Sequence, residues 1–348
     1  MPIFKKNNVL FIALLALLGG NSPAVLAQEA ETSLVNWLTI EQADSMCQIY
    51  DKPLFIDVYT DWCGWCKHMM RTTFSNPQIA NLINNKFYPV RMDAESTDTT
   101  YYKGKAYGAT NGKTNDLAIE LMSGRLSYPT IVYVSKDDQP SPVAGYMDTR
   151  QIEPLLYFFG ESANQNTSFD LFEHNFKLSF VPDSVKSVDP KEVTSGEVRW
   201  YTFAEAEALQ RQNPKLLYID IYADIYATAL MMEKTTYKHP IIAQYINDNF
   251  YPVRFDAASR EPIQFLGQTF VNAGEGEYSL HQLAGAFLGQ QIEFPTIFFM
   301  DENQRIVNRM TYYLDPVTLE PILHYFGDKA FPNTDWNTFR QSFQSEIN

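Results

Sequence analysis

Cysteine is scarce in this chain, with three residues in 348, at positions 47, 63 and 66. That is too few for a disulfide framework. Cys63 and Cys66 form one CxxC pair, and the second pair that a structural zinc site would need is missing. Covalent haem attachment reads Cys-x-x-Cys-His, whereas Lys67 follows here. Basic residues are also short, 27 Lys and Arg against 41 Asp and Glu. Such a balance repels phosphate backbones, so nucleic acid is not an expected partner. The five histidines, at 68, 174, 239, 281 and 324, form no spaced set, and none is nominated as ligand or base. Long apolar runs are absent beyond the N-terminus, and no later segment approaches the length of a membrane span. No metal and no cofactor is expected.

What is present is a globular composition, 45% hydrophobic and 14% aromatic. The length suggests two domains. The first 27 residues read as a secretory signal. Lys5 and Lys6 supply a basic start, Val9 to Leu18 an apolar stretch, and Val25-Leu26-Ala27 a cleavage site before Gln28. The apolar stretch is short for an anchor, the competing reading, and no Cys follows the cleavage site to take a lipid. Without the leader the chain holds 25 basic against 41 acidic residues, a formal charge of −16. An exported protein, expected in the periplasm, with a single CxxC points to dithiol chemistry more than to stapling. Cys47 sits in a helical stretch and reads as a small buried hydrophobe.

The mature chain is written twice. At an offset of 163, Asp57-Val58-Tyr59-Thr60-Asp61 recurs as Asp220-Ile221-Tyr222-Ala223-Asp224. Phe87-Tyr88-Pro89-Val90-Arg91-Met92-Asp93-Ala94 recurs as Phe250-Tyr251-Pro252-Val253-Arg254-Phe255-Asp256-Ala257. About 24 of the 61 positions from Val35 to Glu95 are identical to their partners. After a small slip, Tyr128-Pro129-Thr130 pairs with Phe294-Pro295-Thr296, and Phe169 and Phe172 pair with Trp336 and Phe339. The expected organisation is a first copy over 28–180, a linker over 181–197 rich in Pro, Ser and charge, and a second copy over 198–348. Each copy holds a full set of elements and is expected to fold alone.

Within a copy, strands alternate with helices. The pattern predicts helices over 40–50, 63–74, 76–85, 116–122 and 149–159, and strands over 54–60, 87–92, 130–134 and 143–147. Pro89 places the second strand at an edge or a bulge. The stretch from Tyr101 to Thr114 reads as a small inserted hairpin. An α/β fold with a central mixed sheet flanked by helices follows.

Disulfide exchange needs a thiolate, and a free Cys is mostly protonated at neutral pH. Cys63 falls where a strand ends and a helix begins, facing unpaired backbone N–H groups and the positive end of the helix dipole. Cys66 lies one turn further in. The spacing assigns attack to Cys63 and resolution to Cys66.

With these features the chain resembles the thioredoxin superfamily, and more narrowly the exported bacterial thioredoxin-like proteins with a Trp-Cys-Gly-Trp-Cys-Lys centre. The resemblance rests on the CxxC after an apolar strand, Asp57 six positions before Cys63, and Tyr128-Pro129-Thr130 before the next strand. It implies two tandem thioredoxin-like domains. It also implies that Asp57 is buried beneath the second cysteine and assists its deprotonation, and that Pro129 is cis and lines the substrate groove. Asp57 has a structural reading too, because Asp220 is kept in a copy that has no cysteines.

Trp62, Gly64, Trp65, Tyr128, Pro129 and Thr130 are the candidate substrate-binding residues, although Trp62 and Trp65 also read as simple lid packing. Gly64-Trp65 between the cysteines departs from the Gly-Pro of cytosolic thioredoxin, so reductase, oxidase and isomerase stay open, with a lean to reductase. Lys67 reads as a solvated helix charge. The second copy has Tyr226-Ala227-Thr228-Ala229 at the CxxC position. It cannot exchange disulfides, and client binding or placement is its expected role. The leading expectation is a thiol–disulfide oxidoreductase acting on cysteine-containing proteins and served by a thiol–disulfide electron partner. A non-catalytic scaffold with two thioredoxin-like grooves is the alternative.

Overall fold

The computed structural model describes residues 33–49, 52–135, 139–180, 196–276 and 278–347. The expected leader and nearly all of the expected linker lie outside the described residues. The first copy runs through α1 (Ile40–Cys47), β1 (Leu54–Tyr59), α2 (Gly64–Thr72), α3 (Pro77–Lys86) and β2 (Tyr88–Asp93). The hairpin β3 (Thr100–Tyr102) and β4 (Lys105–Tyr107) follows. The copy closes with α4 (Asp116–Leu121), β5 (Thr130–Val134), β6 (Pro140–Ala144), α5 (Thr149–Gly160) and α6 (Phe169–Phe180).

The second copy repeats the series. It has α7 (Phe203–Gln212), β7 (Leu216–Tyr222), α8 (Ala227–Lys234), α9 (Pro240–Asn249) and β8 (Phe250–Asp256). Its hairpin is β9 (Ile263–Phe265) and β10 (Gln268–Phe270). Then come α10 (Gln282–Leu288), β11 (Thr296–Met300), β12 (Ile306–Thr311), α11 (Pro316–Gly327) and α12 (Trp336–Ser342).

Local chemistry sets these boundaries. Thr39 and Gln42 form a capping box on α1, as Asp148 and Gln151 do on α5. Asn76 caps α3 and Pro77 sits in its first turn, where a missing N–H costs nothing. The inserted hairpin turns on Lys103 and Gly104, both at positive φ, as a two-residue loop requires.

Each copy has a four-stranded mixed sheet, in the order β2-β1-β5-β6 and, in the second copy, β8-β7-β11-β12. β1 pairs parallel with β2 and antiparallel with β5. The predicted α/β class holds, with two thioredoxin-like sheets flanked by helices. Pro89 lies on the edge strand β2. The strand expected over 143–147 is instead Pro140–Ala144. Gly145, at φ +103, ends it and donates its N–H to the Pro129 carbonyl at 2.8 Å. Pro140 and Pro142 are accommodated because β6 is an edge strand. The helix expected to reach Phe74 stops at Thr72, and the Thr73 hydroxyl donates to the Met147 carbonyl at 2.7 Å.

One face of each sheet packs into a cluster of its own, around Ile56, Val90 and Val132 in the first copy and Ile219, Val253 and Phe298 in the second. The opposite faces join a single continuous core. Phe55 and Tyr133 belong to it from the first sheet, Tyr218 and Phe299 from the second, and Phe172 and Phe176 of α6 lie in it as well. The Phe172 ring meets the Tyr313 ring edge-on at 5.6 Å. The described residues therefore form one compact unit, although each copy has its own sheet.

Candidate active site

β1 is buried along all but its last residue, and its continuation turns sharply through 60–63, where the Cys63 N–H bonds to the Thr60 carbonyl at 3.1 Å. This turn places Cys63 as the N-cap of α2. Its Sγ accepts the Cys66 N–H at 3.0 Å, the position a Ser or Thr oxygen takes in an ordinary cap. Cys63 and Cys66 form a disulfide, with 5.3 Å between Cα atoms. Both are nearly buried in this form, 4% and 3% exposed, so exposure does not separate their roles. The two positions differ instead in their place on the helix, because Cys63 is the N-cap, where negative charge is favoured, and Cys66 lies within the first turn.

Asp57 is buried in β1, and Arg91 Nε lies 3.7 Å from its carboxylate. The Arg91 guanidinium stacks over the Tyr59 ring at 4.0 Å. The second copy repeats the arrangement more tightly. Arg254 Nε donates to Asp220 at 3.1 Å, stacks over Tyr222 at 4.0 Å, and pairs with Glu233 at 2.9 Å. Arg254 Nη2 also reaches the carbonyl of Ala229, the residue at the Cys66 position, at 3.4 Å. Burial pushes the Asp220 carboxyl above its ordinary pKa, although Arg254 pulls the other way. Arg91 was missed in the sequence, yet it lies in the longest repeated run.

Trp62 and Trp65 flank the disulfide, 67% and 62% exposed. Trp62 is held by its indole N–H, which donates to Glu95 at 2.9 Å, and by the Tyr128 ring at 5.9 Å. Trp65 rests on His68 and Tyr146, at 5.6 and 5.3 Å between ring centroids. Tyr128 is half-buried, and its phenol is pushed up by burial and then by the charges of Glu95 and Asp93. The Tyr128–Pro129 bond is cis, as is Phe294–Pro295.

Thr130 is buried, and its hydroxyl donates to the Ser127 carbonyl at 2.7 Å, bracing the loop. A Cβ at Gly64 would meet nothing within 4 Å. Lys67 is exposed, and Cys47 is half-buried with its thiol 3.6 Å from the Lys52 carbonyl.

The matching helix terminus in the second copy is occupied from within the chain. Glu161, just past α5, accepts the N–H of Ala227 at 3.2 Å, the N–H of Thr228 at 2.8 Å and the Thr228 hydroxyl at 2.7 Å. Lys86 joins it at 2.6 Å, and the Glu161 side chain is fully buried. No spacing in the sequence pointed to this acid, because the contact spans 66 residues and links two copies.

Residues 16–159 match the family model Thioredox_DsbH, described as a protein of unknown function, DUF255. The chain is 32% identical over 165 residues to the thiol:disulfide interchange protein DsbD of Vibrio vulnificus (strain YJ016), covering 44% of this chain and 25% of that one. It is 27% identical over 129 residues to DsbD of Escherichia coli (strain K12), covering 35% and 20%. The chain thus spans about a quarter or less of these relatives.

Among solved structures, a DsbH oxidoreductase aligns with a TM-score of 0.30 and 13% identity, over 42% of this chain and 95% of that one. The reduced C-terminal domain of Neisseria meningitidis DsbD aligns with a TM-score of 0.25 and 20% identity, over 36% and 92%. The fold assignment rests on the strand order above rather than on these scores. No helix among the described residues is long and apolar enough to cross a membrane.

Proposed function

We propose that this chain is an exported thiol–disulfide oxidoreductase that exchanges disulfides with cysteine-containing proteins in the periplasm. The observation that carries the reading is Cys63 Sγ at the N-cap of α2, accepting the Cys66 N–H. The same donor and the helix dipole stabilise a Cys63 thiolate. That thiolate attacks a client disulfide, forms the mixed disulfide and releases one client thiolate, which takes up a proton. Cys66 loses its proton with assistance from the buried Asp57 and attacks Cys63 Sγ. The products are a client dithiol and the Cys63–Cys66 disulfide, which an electron partner must reduce again. Trp62, Gly64, Trp65, Tyr128 and Pro129 form the rim that meets the client, with Thr130 bracing it.

Of the two roles expected for the second copy, the seat of Glu161 on α8 favours placement over client binding at that terminus. The boundaries 28–180, 181–197 and 198–348 belong to this proposal.

The test is dithiol-driven reduction of a model protein disulfide. Wild type should turn over, and Cys63→Ser should fall to background. Equal rates for the two would leave a binding scaffold as the better reading. A redox titration of the Cys63–Cys66 couple sets direction. A potential near about −270 mV supports the reductase we favour, and one near about −120 mV an oxidase.

A further inference from the structure

The face that surrounds the CxxC position has opposite fates in the two copies. In the second copy Thr228, Met231, Thr235 and Tyr313 are all buried. Their counterparts in the first copy are Trp65, His68, Thr72 and Tyr146, and these are exposed or half-exposed. What covers the second face is a continuous stretch of the first copy. Glu161 sits at the N-terminus of α8. Asn166 donates to the carbonyls of Thr311 and Tyr313 at 2.7 and 3.2 Å. Phe172 of α6 packs on Tyr313, and at the far end Lys234 donates to the Ser179 carbonyl at 3.1 Å and lies over the Phe180 ring at 4.9 Å. A turn thus delivers an acid to the helix terminus, and an aromatic helix then runs the length of α8.

We propose that this junction is an internal image of how a client docks on the first copy. The client would present a cysteine in a turn at the N-terminus of α2, followed by an aromatic amphipathic helix laid against Trp65, His68 and Tyr146. The inference rests on the proposed thiol–disulfide activity and adds the class of client segment. The corresponding loop is built alike in the two copies. Gly145 N–H bonds to the Pro129 carbonyl as Tyr312 N–H does to Pro295, both at 2.8 Å, and the Thr73 and Thr236 hydroxyls donate to the matching Met147 and Leu314 carbonyls.

Where the second copy places a carboxylate at the helix terminus, the first has a sulfur, so the client atom that replaces Glu161 is the one beside Cys63. The three rings of the first face lie within 5.1–5.6 Å of one another and form an aromatic shelf suited to Phe side chains. A second copy of this chain is the competing occupant, through α12. Its acid at the Glu161 position, Asp328, is already engaged by Tyr245 at 2.6 Å and His324 at 2.8 Å within its own copy.

The probe is a synthetic peptide of residues 160–180 carrying Glu161→Cys, with that cysteine in a mixed disulfide to 2-nitro-5-thiobenzoate. Reduced full-length Cys66→Ser protein is the reagent. The Cys63 thiolate forms a disulfide with the peptide cysteine and expels the coloured thiolate. Each rate is divided by the same protein's rate with a small symmetric aromatic disulfide. This ratio should be about tenfold higher for the peptide than for its Phe172→Ser/Phe176→Ser version. The advantage should vanish when Tyr146→Ala is added to the protein, or His68→Glu should that variant fold poorly.

Equal ratios for the two peptides, with the small disulfide reacting normally, would overturn the docking mode and leave the activity standing. No reaction with the small disulfide above Cys63→Ser would overturn the activity itself. Concentration-dependent dimers of the full chain that His68→Glu dissolves would assign the face to a second copy and overturn the client reading.

Discussion

The two copies share a buried Asp–Arg pair, a cis-proline loop braced by a threonine, and a helix that starts directly after the central strand. In the first copy that helix start holds a sulfur beneath two exposed tryptophans. In the second it holds the carboxylate of Glu161 and is closed by α6. A helix N-terminus is a preference for negative charge and not an activity. The same backbone device meets the Cys63 sulfur in one copy and the Glu161 carboxylate in the other. The Asp–Arg pairs differ in the same direction. Glu233 braces Arg254 in the second copy, and Met70 stands at that position in the first.

The largest effect on stability should come from Glu161. Glu161→Ala strips three donors and Lys86 of a fully buried carboxylate and should cost about 3–5 kcal/mol in a denaturant titration. Asp328→Ala, the same acid at the end of the other copy and 54% exposed, should cost less than about 1 kcal/mol. Similar losses would erase the distinction drawn between the two helix ends.

Next come the paired aspartates. Asp220→Asn leaves Arg254, 11% exposed, without its buried partner and should cost about 3 kcal/mol, read by the same titration. Asp57→Asn should show itself in kinetics, slowing resolution of the mixed disulfide by about tenfold and the first attack by less. Equal slowing of both steps would make Asp57 structural, like its counterpart.

A smaller effect is expected at Tyr128. Glu95→Gln removes one of the negative charges that hold the phenol above its ordinary range, so an absorbance titration should find its pKa lower than in wild type. No change would mean that burial alone sets it. The smallest effect belongs to Gly64, where added volume meets nothing within 4 Å. Gly64→Ala should shift the unfolding midpoint by less than the equivalent of about 1 kcal/mol.

Much of the fold was legible in the sequence, because the repeat lets each element be read twice. The central strand around Asp57, the Asn76-Pro77 helix start and the proline loop each carry a local reason for their place. The β6 boundary was misread because Val143 to Met147 is a short run without charge or proline, while the positive φ at Gly145 ends the strand at Ala144.

Local pattern also cannot say which apolar face meets which. Phe172 and Phe176 lie on α6, a helix absent from the predicted set, and only the assembled structure puts them in a core common to both copies. The same holds for the candidate site. Cys63 and Cys66 follow from spacing, and Asp57 and Pro129 from the resemblance to the thioredoxin superfamily, whereas Arg91, Tyr146 and Glu161 are joined to their partners by tertiary packing.

Trapping of mixed disulfides tests the central claim most directly. Cys66→Ser and Cys63→Ser proteins would each be incubated with exported proteins from the native compartment, quenched in acid and analysed by non-reducing gels and mass spectrometry. The account predicts abundant adducts with Cys66→Ser, all linked through Cys63, and few with Cys63→Ser. Adducts that accumulate on Cys63→Ser through Cys66, or equally few on both, would contradict it.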